Sequence, residues 1–95
     1  VAHSSAPTPD ELVDVLKALA DPVRMDLLRR IAAVDEIACT DLVEESHVSA
    51  STVSYHVKTL RTAGLVQVRK DGRNFHYTYR PEVVTTLATE LNRLG

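Results

Sequence analysis

At Gly64 the spacing of apolar residues changes from that of a helix to that of a strand, and few small folds accommodate such a switch in mid-chain. Upstream, Val53, Val57, Leu60 and Gly64 share one side of a helix, as core-facing positions do. Downstream, Val66 and Val68 alternate with Gln67 and Arg69, while Phe75, Tyr77 and Tyr79 alternate with His76 and Thr78. Asp71–Gly72 lies between the two alternating runs, a strong hairpin signal. A helix that runs directly into a hairpin is therefore the centre of the expected fold.

The segments around it are punctuated by helix-start devices. Residues 1–8 are small and polar, and are expected to form a flexible arm. Thr8, Pro9, Asp10 and Glu11 then make a capping-box pattern, and Leu12, Val15, Leu16 and Leu19 follow at helical spacing, predicting a first helix over about 9–20. Asp21 and Pro22 repeat the device for a second helix whose Val23, Leu27, Leu28 and Ile31 are expected to face a core. Thr40 is the expected cap of a short third helix, with Asp41 and Glu44 near its positive end, and Ser49 the cap of a fourth that stops near Ala63–Gly64. After the hairpin, Val83, Val84, Leu87, Leu91 and Leu94 form the apolar stripe of a last helix. The predicted order is α-α-α-α-β-β-α, a mainly helical fold with a β-hairpin wing in which residues 9–95 form one winged helix-turn-helix domain. A 95-residue chain buries about 60–70% of its unfolded surface, so a partner subunit would add to a small core.

Charge is distributed unevenly. The formal net charge is −2, which on its face disfavours a nucleic-acid partner. Between Ser51 and Arg80, however, the cations Lys58, Arg61, Arg69, Lys70, Arg73 and Arg80 meet the single anion Asp71, so this window carries a local excess of positive charge. The outer side of the fourth helix displays Ser51, Tyr55, Lys58, Thr59 and Thr62 without one carboxylate. A solvated face ordinarily mixes both signs. Short polar side chains at the leading end of a helix suit entry into a major groove, so Ser51, Thr52, Ser54 and Tyr55 are candidates for base contacts, with Lys58 and Arg61 reaching phosphates. The wing offers Arg69, Lys70, Arg73 and Asn74. The competing interpretation, that each motif is only a solvated surface, weakens because the two motifs succeed one another within thirty residues.

With these residues in view, "LKALADPVRMDLLRRI", "SASTVSYHVKTLRTAGLV" and "RKDGRNFHYTY" resemble the ArsR/SmtB transcription factors over about residues 12–80. The resemblance implies a homodimer joined through its first and last helices, bound to an imperfect inverted repeat in double-stranded DNA. It further implies repression relieved or altered by an effector. By analogy, Leu12, Val15, Leu16, Leu87, Leu91 and Leu94 are expected at or near the seam; the other interpretation is that they only close the core. An activator, or a winged helix used for protein contacts, are the alternatives. No glycine-rich phosphate loop, metalloprotease helix or nucleophile set points to an enzyme. The longest apolar runs fall far short of the ~20 residues of a membrane span, no signal-peptide segment is evident, and the lone Cys39 suits a reducing compartment, so a cytoplasmic location is expected.

The effector is less legible. In arsenic- and cadmium-type members two cysteines flank one residue before the helix-turn-helix; here those positions are Ala38 and Thr40, and Cys39 stands between them. The last helix lacks the histidines of zinc- and nickel-type members. Both standard metal sites are therefore expected to be absent, and no cofactor is required for the fold. A divalent metal effector at a non-standard site remains the alternative, with His3, Cys39 and His76 as candidate ligands. If Val1 is the native N-terminus, its amine, two amide nitrogens and His3 would bind Cu(II) or Ni(II) in square-planar geometry. Calorimetric titration with Ni(II), Zn(II) and Cu(II) checks this: heat lost on His3→Ala substitution supports the terminal site, and no heat with any metal ends the metal hypothesis.

Overall fold

The computed structural model describes residues 8–95; residues 1–7 of the expected N-terminal arm, His3 among them, lie outside the described residues, and Thr8 belongs to the start of the first helix. Helix α1 (Pro9–Leu19) starts from a complete capping box, in which the Glu11 amide donates to Thr8 Oγ1 and the Thr8 amide to Glu11 Oε1. Helix α2 (Pro22–Ala32) is capped by Asp21, whose Oδ1 accepts from the Arg24 amide at 2.9 Å. That bond holds the Asp21 carboxyl below the ordinary carboxylate range, and the charge of the Arg24 guanidinium adds to it.

Strand β1 (Ile37–Ala38) leads straight into α3 (Cys39–Ser46), and α4 (Ala50–Thr62) follows after a tight turn. His47 makes that turn by adopting a left-handed conformation, with φ 58°. Ser49 Oγ then accepts from the Thr52 amide and caps α4. The strands β2 (Val66–Asp71) and β3 (Asn74–Tyr79) pair as the hairpin, and α5 (Glu82–Asn92) ends the fold.

The sheet is antiparallel with the order β1-β3-β2, so β3 is central; Tyr77 lies opposite Val68 on one side and Ile37 on the other. One core fills the space between helices and sheet. Leu27, Ile31, Leu42, Val53, Leu60 and Leu65 are its fully buried large side chains. Tyr77 closes the core from the sheet side, and burial, followed by its contact with Cys39, pushes its phenol pKa up.

Four expectations change. The short strand β1 was not foreseen: its two residues are too few to show a period, and it exists only because β3 supplies a partner. That pairing fixes Ala38 in extended geometry, so α3 begins at Cys39 with Ala38 at its cap position and no capping side chain, and Thr40 falls inside the first turn. In α2 the buried stripe is Arg24, Leu27, Leu28 and Ile31, and Val23, one residue off this line, is 40% exposed. The hairpin turns on Gly72–Arg73, because Asp71 pairs with Asn74. Only Gly72 of the two has positive φ, the pattern of a II′ turn with glycine first, rather than a turn centred on Asp-Gly.

At the other end of β2, Gly64 has φ 81° and completes a Schellman motif: its amide donates to Arg61 O, and the Leu65 amide to Leu60 O, both at 2.9 Å. A β-carbon here would stand 3.1 Å from Val83 Cγ2 of α5. Gly64→Ala should cost about 1–2 kcal/mol from backbone strain alone, lowering the melting temperature by roughly 5–10 °C. In a Val83→Ala background only the steric part of the loss should be recovered, as differential scanning calorimetry would report.

Candidate nucleic-acid interface

Helix α4 divides cleanly into two sides. Val53, Val57 and Leu60 are buried with His56, while Ser51, Ser54, Tyr55, Lys58 and Arg61 are exposed on the opposite stripe. Tyr55 is 62% exposed and meets the His56 ring edge-on, 5.1 Å between centroids. Thr52 is half-buried, and its hydroxyl is engaged by the capping Ser49 at 2.9 Å. Two other hydroxyls turn inward: Thr59 donates to Tyr55 O and Thr62 to Lys58 O. The Ser51 hydroxyl meets Ser49 Oγ at 3.3 Å, so the helix presents Ser54 with its hydroxyl free among the described residues, Ser51 at its leading end, one tyrosine and two cations.

The wing converges on this stripe. A groove of about 250 Å³ between α4 and the hairpin is lined by Ser54, Lys58 and Arg61 on one wall and by Val68, Phe75 and Tyr77 on the other. Arg73 and Asn74 are exposed at the hairpin tip. The Lys70 ammonium lies over the Phe75 ring, 5.9 Å from its centroid, which keeps the charge at the surface of the strand pair. Among the described residues Lys58, Arg61, Lys70 and Arg73 form no ion pair.

Arg69 differs. Its Nη2 and Nε donate to Glu36 Oε1 and Oε2 at 2.8 and 3.1 Å, a two-bond fork that reaches across β3 toward β1. Asp71 lies 3.8 Å from the same guanidinium, and His76 Nδ1 3.9 Å from Glu36. The Arg69 bonds hold the Glu36 carboxyl below its ordinary range, so the pair is intact at neutral pH and is lost only as pH falls through that lowered value. Glu36 escaped the sequence analysis because a lone acid in a connector carries no pattern; only the register of the three strands brings it to Arg69.

A second group behind α4 was equally hidden. Arg24 is 8% exposed, and its Nε donates to His56 Nδ1 at 3.2 Å while Nη1 donates to Ala18 O at 3.2 Å and Lys17 O at 3.4 Å. It thus joins the end of α1 to the core side of α4. Accepting this bond requires His56 Nδ1 to be free of a proton, which puts the ring proton on Nε2.

Of the candidate metal ligands, His3 lies outside the described residues, and Cys39 and His76 belong to no metal-binding cluster among them. Among the described residues no three His, Cys, Asp or Glu side chains come together as a metal site would require; Cys39 lies beside Tyr77, and His76 faces Glu36. Of the residues considered for a dimer seam, Val15 and Leu87 are buried within the chain, Leu12 is half-buried, and Leu16, Leu91 and Leu94 are exposed. Leu94 follows the end of α5 instead of lying on it.

With α3 and α4 as the two-helix unit and β2–β3 as its wing, the chain is a winged helix-turn-helix protein. A family model described as a helix-turn-helix domain matches residues 19–69. The chain is 34% identical over 82 residues to the arsenical resistance operon repressor of Staphylococcus aureus, covering 86% of this chain and 78% of that one. An uncharacterised HTH-type transcriptional regulator of Bacillus subtilis is 36% identical over 73 residues, covering 76% of this chain and 73% of its own length. An ArsR-like transcriptional regulator from Rhodococcus sp. RHA1 superposes with a TM-score of 0.82 at 28% identity, over 90% of this chain and 80% of that one. The chain belongs to the ArsR/SmtB family of DNA-binding transcriptional regulators, which are not enzymes. No helix among the described residues is long and apolar enough to cross a membrane.

Glu36 occupies the guanidinium of Arg69, one of the candidate DNA-contact residues. Glu36→Gln should free Arg69 and tighten DNA binding several-fold at low salt, with the slope of log K against log salt steeper by about one. Fluorescence anisotropy over a salt series measures both; an unchanged slope would mean that Arg69 serves only the sheet.

Proposed function

We propose that this regulator acts as a homodimeric repressor that binds an inverted-repeat operator in double-stranded DNA, with α4 in the major groove and the wing against the flanking backbone, and that an effector alters its affinity. The observation that carries this is the unpaired positive charge: among the described residues of an acidic chain, Lys58, Arg61, Lys70 and Arg73 form no ion pair beside one exposed stripe of α4. Charge left uncompensated on a folded protein suits a partner that supplies the counter-charge, and phosphates do so with release of their own counterions. Ser51, Thr52, Ser54 and Tyr55 would lie nearest the base edges, Lys58 and Arg61 on the groove walls, and Lys70, Arg73 and Asn74 on the wing side. Arg69 would join them once released from Glu36.

Dimerisation through α1 and α5 is supported by the apolar surface these helices keep. Leu16 of α1 and Leu91 of α5 are exposed large side chains, as is Leu94 just past the end of α5, 83% so. Because Leu16 and Leu91 are already about half covered, burying what remains exposed would contribute roughly 1 kcal/mol for each of them and about 2 kcal/mol for Leu94. The longest dimension of the chain, 40 Å, suits two copies presenting their α4 helices about 34 Å apart, one helical turn of DNA. The repressor role follows the relatives named as repressors, among them the staphylococcal protein.

Tyr55 and Arg73 are exposed, so replacing both should leave the fold intact. Tyr55→Ala with Arg73→Ala should weaken binding to the chain's own upstream DNA by about a hundredfold or more, with a melting temperature close to the parent's. Loss of one phosphate contact should also reduce the salt slope by about one. Unchanged gel shifts from this variant would refute the assignment.

A further inference from the structure

Behind the exposed stripe of α4, on the side facing α1, lies a cleft of about 580 Å³. Asp14, Lys17 and Ala18 of α1 form one wall, and Tyr55, Lys58, Thr59, Thr62 and Ala63 of the α4 region form the other, with Arg24 also lining it. The volume lies within the range of small-molecule sites. Its charged groups are Lys17, Arg24 and Lys58 against the one carboxylate of Asp14, in a chain that is acidic as a whole.

Arg24 distinguishes this cleft from an accidental surface depression. The residue is more than nine-tenths buried, and its Nε and Nη1 are committed to His56 and to the carbonyls of α1. Its Nη2 donates to no group among the described residues. Among the described residues no fully buried side-chain nitrogen or oxygen lacks a partner, so Nη2 keeps an opening to solvent, and Arg24 lines this cleft. A guanidinium fixed on two of its nitrogens, with the third free, is a ready donor for a carboxylate oxygen. Around it the Tyr55 ring and the methyl groups of Ala18, Ala63, Thr59 and Thr62 offer apolar contact. Inorganic phosphate would leave that surface unused.

We propose that this cleft is an effector site for a small organic monocarboxylate with a flat, apolar body, whose carboxylate sits on Arg24 Nη2 and the flanking lysines while its body lies against Tyr55. Tyr55 and Lys58 line both the cleft and the stripe assigned to DNA, so ligand and DNA compete for the same side chains. The ligand therefore releases DNA, and DNA lowers ligand affinity by the same factor. This regulatory consequence rests on the DNA-reading role assigned to Tyr55 and Lys58; the binding site itself does not.

1-Naphthoate is a suitable probe, with 1-naphthalenemethanol as its uncharged counterpart. In heteronuclear NMR titrations of the whole chain without DNA, naphthoate should give saturable shifts at Lys17, Tyr55, Thr59 and Thr62 below about 10 mM, and the alcohol should bind about tenfold more weakly. Ala63→Leu, which fills the cleft wall and leaves Arg24 in place, should weaken naphthoate binding by about tenfold. Arg24→Lys should do the same, and a thermal melt shows whether that variant is folded. Absence of saturable shifts, shifts centred elsewhere, or equal binding of the alcohol would overturn the site. In a separate anisotropy assay with promoter DNA, saturating naphthoate should reduce the affinity of the parent protein by about tenfold and that of Ala63→Leu much less. Naphthoate that binds the cleft but leaves DNA affinity unchanged refutes the competition. A parent protein that binds no promoter fragment refutes the DNA role of Tyr55 and Lys58, and leaves the ligand result standing.

Discussion

A buried guanidinium holds α4, the helix with the exposed cationic stripe, in place. Arg24 occupies a position in the core stripe of α2 that the pattern of its neighbours would assign to an aliphatic side chain. Burying a cation is costly unless its hydrogen bonds are met, and here no ion-pair carboxylate does the work among the described residues. The carbonyls at the negative end of α1 accept from it, and the imidazole of His56 accepts from its other side. Charge-assisted bonds of this kind contribute about 1.5–3 kcal/mol each. Because each has a defined direction, they fix α1, α2 and α4 relative to one another in a way that apolar contacts alone would leave looser. His56 is followed along the helix by Val57 and preceded by Tyr55, so the same bond sets the rotation of α4 and hence the side that faces outward.

The charge pattern complements that rigidity. Among the described residues Lys58, Arg61, Lys70 and Arg73 of the α4 stripe and the wing form no ion pair, whereas in the supporting elements Arg30 pairs with Asp26 and Glu45 and Arg93 with Glu90, while Lys17 and Arg29 form none. Arg69 lies between these two populations. It belongs by sequence to the wing, yet Glu36 and Asp71 compensate it. An internal carboxylate held against a surface cation lowers the attraction for any polyanion, specific or not, and so favours discrimination over raw affinity.

What the sequence made legible was local. The capping box at Thr8 and Glu11, the Asp21 and Ser49 caps, the glycine stop at Gly64 and the alternation on either side of Gly72 are all decided within a few residues, and the helices and hairpin follow from them. The exposed stripe of α4 was legible for the same reason: helical spacing alone separates it from Val53, Val57 and Leu60. What escaped depends on partners distant in the chain. Strand β1 needs Tyr77 and His76 of β3; the burial of Arg24 needs His56, 32 residues on; the engagement of Arg69 needs Glu36, 33 residues back. The hairpin turn was displaced by one residue because strand register, and not dipeptide preference, decided which pair lies at its apex.

The glycine at the end of α4 has a mechanical consequence. Its Schellman bonds confine the link between Thr62, the last residue of the helix, and Val66, the first of β2, to Ala63, Gly64 and the fully buried Leu65, and the Arg80 amide closes the base of the hairpin on Leu65 O. Helix and wing are therefore welded at one point with no slack between them. A duplex engaged by both must conform to the offset they impose, so the bending and groove width of its base steps become part of what is selected, including at positions no side chain touches.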